Sequence, residues 1–132
     1  MAIEIGERFV ISKTVTKEMT AAKVGSGDLE VLATPVMIAL FEECSAACLK
    51  PFLEPGKTSV GISVEANHIA ATPVGAEITV AAEIIETDGK IITFRGTASD
   101  IGGEIGSCIH KRAIINAERF LEKTYAKLAE AL

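Results

Sequence analysis

Residues 31–49 constrain the fold more than any other part of the chain. Glu42 and Glu43 are the only charged side chains in this stretch, and the apolar side chains of residues 31–41 would face every direction of a helix. A helix of this kind is buried rather than amphipathic, so the rest of the chain must cover it on most of its sides.

Local signals set the bounds of that helix. Thr34 stands at a capping position, Pro35 at the first helical position, and Pro51 just beyond the run. The pattern predicts a helix over residues 34–49, in which the Thr34 side chain accepts a hydrogen bond from a backbone N–H of the first turn.

The rest of the sequence predicts strands, because apolar and polar residues alternate with the period of half-buried strands. In the second strand, for example, Ile62 shares the apolar face with Val60 and Val64. Before the central helix, the sequence predicts a strand at residues 8–16 and a loop with a short helical turn at 17–30. After it come a turn at 53–56, the second strand, and three more strands up to residue 116, with a hairpin at Asp88-Gly89. The last element is a helix at 117–131, which is capped by Asn116 and carries Phe120, Thr124, Leu128 and Ala131 on one stripe.

These lengths predict an α+β hotdog fold. A 16-residue helix is roughly 24 Å long, and strands of nine to eleven residues reach roughly 30–36 Å, enough to curl around it. We therefore expect a long central helix wrapped by a curved five-stranded antiparallel sheet, followed by a C-terminal helix.

Composition excludes several classes of partner. The chain has 132 residues, the size of a single domain over 1–132, and a net charge of −5 with one tyrosine and no tryptophan, which argues against nucleic-acid binding. No apolar run reaches the roughly 18 residues of a membrane span, and the N-terminal sequence lacks a leader pattern. Three cysteines are an odd number for a disulfide framework. We expect a cytoplasmic protein that binds no membrane.

A few polar residues are candidates for chemistry. Glu42 and Glu43 are both costly to bury without a partner, so one of the two should line a cavity or an interface, unless the second half of the helix emerges into water. The helix start at Thr34 offers N–H groups and the positive end of a dipole to a substrate carbonyl. His68 follows a strand; imidazole suits acid–base work near neutral pH, although a lone histidine is more often structural.

The only dense basic cluster is His110-Lys111-Arg112. Alternation places His110 and Arg112 on one face of the last strand, either on a solvated sheet surface or against ligand phosphates. Cys44 and Cys48 share a helix face but have no further metal ligands near them, so we interpret them, and Cys108, as small core residues and expect no metal site.

Three segments resemble the fluoroacetyl-CoA thioesterase-like family of hotdog proteins. They read ATPVMIALFE at 33–42, LEPGKTSVGISVEANHIAATPVG at 53–75 and GSCIHKRAII at 106–115, and the match runs in order over nearly the whole chain. The resemblance implies an acyl-CoA thioesterase that converts a small acyl-CoA to the free acid and CoA, with no cofactor beyond the CoA of the substrate. It also implies catalytic roles for Thr34, Glu42 and His68, and substrate contacts for Gly61, His110 and Arg112.

One segment departs from the family pattern. The fluoroacetyl-specific enzyme carries a phenylalanine-bearing lid ahead of the central helix, whereas residues 23–32 here contain two glycines and no phenylalanine. We therefore expect a general short-chain thioesterase rather than one selective for fluoroacetyl groups.

Spacing along the helix predicts how the site assembles. Thr34 and Glu42 lie eight residues apart, roughly 12 Å along a helix, too far for a hydrogen bond within one chain. In a homodimer whose helices pack antiparallel and cross near Ile38, Thr34 of one chain would lie beside Glu42 of the other. The hypothesis is two equivalent sites at the interface, with Glu42 as nucleophile or orienting group and His68 as acid–base.

Two rival functions remain open. A non-catalytic acyl-CoA-binding or sensing module would keep Arg112 but would not need a carboxylate and an imidazole together. A hotdog dehydratase needs an aspartate followed at a fixed short spacing by a histidine, which none of Asp28, Asp88 and Asp100 has.

Overall fold

One long helix lies against a five-stranded antiparallel sheet in the computed structural model, which describes residues 2–130. The predicted hotdog architecture is confirmed; Ala131, the last residue of the predicted stripe, lies outside the described residues. The elements are β1 (Arg8–Thr14), α1 (Ala21–Val24), α2 (Thr34–Leu49), β2 (Lys57–His68), β3 (Glu77–Thr87), β4 (Ile91–Asp100), β5 (Gly103–Asn116) and α3 (Ala117–Glu130), with short 3-10 turns at Lys17–Met19 and Lys50–Phe52.

The order of the strands is β1-β3-β4-β5-β2, so β1 and β2 form the two edges. The strand that follows the central helix thus pairs with the last strand of the chain rather than with the next one. This pairing places residues of β2 beside residues of β5.

The core lies between one face of α2 and the middle of the sheet. Phe41 of α2 is fully buried, and Gly96 of β4 makes room for its ring, since a Cβ there would lie 2.8 Å from Phe41 and 2.6 Å from the sulfur of Cys108. The alternation predicted for β3 and β4 is confirmed by the buried side chains of Ile78, Val80, Ala82, Ile84, Ile92, Phe94 and Ala98.

The opposite face of α2 remains uncovered in the single chain. Pro35 and Ala39 are exposed and Ile38 is partly exposed. The prediction that the strands cover the helix on most sides is wrong for this face, because one sheet can contact only one side of a helix.

A β-bulge changes the pattern of β2. The pairing with β5 shifts register between Gly61 and Ser63, and Ile62 is 52% exposed. The prediction that Ile62 lies on the buried face is therefore wrong. A bulge inserts an extra residue into one strand, so alternation does not continue through it.

The cysteines are core residues, as predicted. All three are free and buried, and burial raises the pKa of both Cys44 and Cys108 to about 11. A thiol with so high a pKa is a poor nucleophile at neutral pH.

The C-terminal helix is capped as predicted, because the Asn116 side-chain oxygen accepts a hydrogen bond of 3.0 Å from the backbone N–H of Arg119. None of the α3 side chains is buried. Within residues 2–130, the helices are all too short or too polar to cross a membrane.

Candidate active site

Thr34 pairs with His68 across the start of α2. The helix cap is Ala33, whose side chain makes no capping hydrogen bond, and Thr34 is the first helical residue. The Thr34 hydroxyl instead lies 2.8 Å from Nδ1 of His68, at the end of β2. The prediction that Thr34 caps the helix is wrong, because its hydroxyl is taken by a partner 34 residues away in sequence.

A cavity of about 270 Å³ adjoins this pair. Thr34 and His68 line it together with Ala21, Ser26 and Leu32 from the segment ahead of α2. Nε2 of His68 is buried and has no hydrogen-bond partner among the residues that the structure describes. The imidazole thus has one nitrogen anchored and one available for a ligand or a proton.

Glu42 belongs to a second group, centred on Arg112 of β5. Its carboxylate lies 3.6 Å from Nη1 of Arg112, and a Cβ placed on Gly61 would collide with the same carboxylate. Gly61 therefore leaves the space that the Glu42 side chain fills. Strand pairing explains the grouping, since Gly61 of β2 lies opposite Arg112 of β5.

Arg112 is held in place by the protein. Its Nε donates to the Ser59 hydroxyl at 2.9 Å and its Nη2 to the Ser59 carbonyl at 3.0 Å. Burial lowers the pKa of Arg112, and the charge of Glu42 opposes that shift. Since Arg112 is buried, the interpretation of this strand face as a solvated surface is wrong; a role in binding substrate stays a prediction.

His110 completes this group as a neutral imidazole. Its Nδ1 lies 2.9 Å from the Ser63 carbonyl, which can only accept, so Nδ1 carries the proton. Its Nε2 then accepts from Nη1 of Arg112 at 3.2 Å. Burial lowers the pKa of His110, the Ser63 carbonyl opposes the shift and the charge of Arg112 adds to it.

The two neighbouring glutamates of α2 have different environments. Glu42 turns toward Arg112, while Glu43 is exposed and lies 3.2 Å from Lys13. Glu42 thus meets the buried Arg112, although its side chain is still 42% exposed. That one of the two glutamates lines a cavity or an interface stays a prediction.

The single chain therefore carries two separate half-sites. The first contains Thr34 and His68, and the second contains Glu42, Gly61, His110 and Arg112. The two lie roughly 12 Å apart along α2, from the helical rise over eight residues. Sequence reasoning missed Ser59 and Ser63, which fix Arg112 and His110; only the pairing of β2 with β5 places them there. Over residues 2–130, no group of three or more His, Cys, Asp or Glu side chains is arranged to hold a metal ion.

Known proteins share both the sequence and the fold. The family model described as fluoroacetyl-CoA-specific thioesterase matches residues 15–118. The fluoroacetyl-CoA thioesterase of Streptantibioticus cattleyicolor is 41% identical over 98 residues, which are 74% of this chain and 70% of that protein.

Two solved structures of the fluoroacetyl-CoA thioesterase FlK show the same architecture. One has a TM-score of 0.91 at 34% identity and covers 96% of this chain and 98% of its own. The other, a mutant in complex with fluoroacetate and CoA, has a TM-score of 0.85 at 35% identity and covers 89% of this chain and 99% of its own. From the motifs, the fold and these matches, the chain belongs to the fluoroacetyl-CoA-specific thioesterase family.

Proposed function

We propose that this protein is an acyl-CoA thioesterase that hydrolyses small acyl-CoA thioesters to the free acid and CoA. Its relatives carry the thioesterase name, and one of them was solved with fluoroacetate and CoA. The observation that carries the proposal is the placement of a Thr–His pair and a Glu–Arg pair at two positions along the uncovered side of one helix. A second copy of the chain can bring these two pairs together.

The apolar face of α2 supports a homodimer. Exposed Pro35 and Ala39 and partly exposed Ile38 lie on this face, and an apolar helix face is stable only when something covers it. Ile38 is midway between Thr34 and Glu42. Two helices that cross there with a two-fold axis therefore place each Thr34 level with Glu42 of the other chain.

The edge strand β2 supports the same assembly. It is 12 residues long, contains no proline, and has one side without a strand partner among residues 2–130. An edge of this length readily pairs with another strand. Because β2 carries Gly61 and His68, pairing of two copies would also join the two half-sites.

Each composite site would hold the thioester carbonyl at the start of α2. Pro35 has no N–H, and the N–H groups of Val36 and Met37 both donate to the Ala33 carbonyl. The N–H of Thr34 is thus the donor of this turn that can face a developing oxyanion.

Two routes use the same residues. In the first, the Glu42 carboxylate attacks the carbonyl carbon, the C–S bond breaks, and His68 protonates the CoA thiolate; water then hydrolyses the resulting anhydride. In the second, Glu42 orients a water molecule, His68 accepts its proton as it attacks, and the proton passes to the leaving thiolate. Neither route uses a cofactor other than the CoA of the substrate.

The size of the first half-site supports a small acyl group. Its cavity of about 270 Å³ is slightly smaller than typical ligand pockets of roughly 300–1,000 Å³, and its lining includes Val31, Leu32 and Ile69. Residues 23–32 lack the phenylalanine of a selective lid, so acetyl and propionyl groups should be accepted without selection for fluorine. We place the protein in the cytoplasm, a proposal that the three free cysteines support.

Release of CoA thiol from a panel of acyl-CoAs tests the function. Acetyl-, propionyl- and fluoroacetyl-CoA should turn over with similar kcat/KM, and kcat/KM should fall as the acyl chain exceeds the cavity. Tight acyl-CoA binding without thiol release from any member of the panel would contradict hydrolysis and favour a binding module instead.

Gly61→Ala should reduce turnover without unfolding the protein. The added Cβ would meet the Glu42 carboxylate, the end of a flexible side chain, and would lie 3.2 Å from Cε1 of His110. Glu42 would move aside, and a misplaced reacting group costs roughly 10²-fold in rate. Gly96→Ala is the contrasting variant, because its Cβ would meet the buried ring of Phe41 and the loss should appear in the melting temperature. Wild-type kcat in Gly61→Ala would contradict the role given to this position.

A further inference from the structure

A large cavity lies outside both half-sites. It is a groove of about 850 Å³ between α3, the hairpin that joins β3 to β4, and the turn that precedes β2. Its apolar walls include Leu53, Ile114 and Phe120, the last of which is 41% exposed. The groove thus offers an open aromatic ring and aliphatic surface to a ligand.

The same groove concentrates positive charge in an acidic protein. Lys57, Lys90, Arg119 and Lys123 line it, and Glu54 is the one carboxylate among the lining residues. The whole chain has 18 acidic and 13 Lys and Arg residues. The three ion pairs within residues 2–130 involve Lys13, Lys23 and Arg112. None of the four cations of the groove therefore has a carboxylate of the described residues within 4 Å.

We propose that this groove, called here the basic groove, binds the 3′-phosphorylated ADP end of CoA; the inference rests on the proposed function. That end of CoA carries a diphosphate, a ribose 3′-phosphate and an adenine ring. The four cations suit the phosphates, and the exposed Phe120 suits the face of the adenine, since bases stack on aromatic side chains.

The distance from the basic groove to the second half-site matches the substrate. Lys57 lines the groove and Gly61 belongs to the second half-site. The two residues are four positions apart in β2, so their Cα atoms are separated by roughly 13 Å along the strand. The cysteamine, β-alanine and pantoate units of CoA are together about as long as a four-residue peptide, roughly 13–14 Å when extended. Ile114 in the groove is two residues beyond Arg112 in β5, so both side chains lie on the same face of the sheet.

Arg112 cannot serve the phosphates in its present position. Its nitrogens donate to Ser59 and His110, its third partner is Glu42, and the side chain is buried. The phosphates of a bound CoA therefore need cations elsewhere, and the basic groove provides them at the right distance.

The double variant Lys90→Glu/Lys123→Glu tests the inference. Reversing two of the four charges should raise KM for acetyl-CoA roughly tenfold or more, as expected when charge-assisted contacts are lost, and should leave kcat unchanged. The control is Lys127→Glu, which reverses one charge one turn beyond Lys123 on α3, at a residue that does not line the groove. The control should keep the wild-type KM.

A truncated substrate separates the groove from the reaction centre. Acetyl-pantetheine carries the same thioester but no nucleotide, so the double variant should hydrolyse it as fast as the wild type. Titration with adenosine 3′,5′-bisphosphate should show binding to the wild-type protein and to Lys127→Glu, and loss of binding in the double variant. Adding salt should weaken the wild-type binding, because the contacts are between exposed charges.

The outcomes distinguish the inference from the proposed function. An unchanged KM for acetyl-CoA in the double variant would overturn the basic groove as the nucleotide site while leaving the thioesterase function intact. Faster hydrolysis of an acyl-carrier-protein thioester than of acetyl-CoA, with the same dependence on Lys90 and Lys123, would also overturn it, because the groove would then serve an acidic protein. Absence of thiol release from every substrate would reject the function itself.

Discussion

Glu42→Gln is expected to lower kcat for acetyl-CoA by about 10²–10⁴-fold, the range typical of a lost nucleophile or general base. The amide keeps the shape of the side chain, but it cannot attack the carbonyl and it lacks the negative charge that would orient the attacking water. Steady-state thiol release measures kcat. Because the Glu42 side chain is 42% exposed, its pair with Arg112 should contribute about 1 kcal/mol or less to stability, so the variant should still fold.

The adjacent residue provides the control. Glu43→Gln makes the identical chemical change one position along the helix, at an exposed side chain paired with Lys13. This variant should keep wild-type kcat and KM. If both variants lose the same modest fraction of activity, the effect would come from the net charge of the helix, and Glu42 would have no catalytic role.

The sequence predicted the secondary structure well because its signals are local. The alternation of apolar and polar residues predicted which side chains of β3 and β4 are buried, and Pro35 and Pro51 predicted where α2 begins and ends. Thr34 shows where local signals end. A threonine before a proline fits both the capping position and the first helical position of a helix. In the structure Thr34 occupies the first helical position, and its hydroxyl is hydrogen-bonded to His68.

Non-local pairing decided what the sequence did not predict. The bulge at Gly61 depends on how β2 pairs with β5, and it turns Ile62 outward. The same pairing places Ser59 where it anchors Arg112. No spacing in the sequence reveals these contacts, because each joins residues more than 40 positions apart. The resemblance named the site residues, and the helical spacing separated Thr34 from Glu42. Which other residues group with each of them is visible only in three dimensions.

The cations of the basic groove were also beyond sequence reasoning. Lys57, Lys90, Arg119 and Lys123 come from three separate regions of the chain, and none belongs to the dense basic cluster at 110–112. Burial removes the His110 and Arg112 side chains of that cluster from the surface and leaves only Lys111 exposed. The proposal therefore assigns the polyanionic end of the ligand to residues that no linear charge pattern singles out.

A mixed dimer of two inactive chains should recover activity if each site is shared between subunits. His68→Ala removes the first half-site and Glu42→Gln the second, and each homodimer should be inactive. In a dimer that contains one chain of each kind, one composite site lacks both groups, while the other combines the intact His68 of one chain with the intact Glu42 of the other. The mixed dimer should therefore show about half of the wild-type kcat per dimer, since one of its two equivalent sites is complete.

Co-expression of the two variants with different affinity tags, followed by purification over both, isolates the mixed dimer for thiol-release measurement. The control is a mixed dimer in which both chains carry Glu42→Gln under the two tags, which should stay inactive because no site is complete. Recovery requires that Thr34 and His68 act with Glu42 of the other chain. If each site were built within one chain, every site in the mixed dimer would still lack one group, and activity would remain at the level of the inactive homodimers. The roughly 12 Å between the two half-sites along α2 is what makes recovery the expected result.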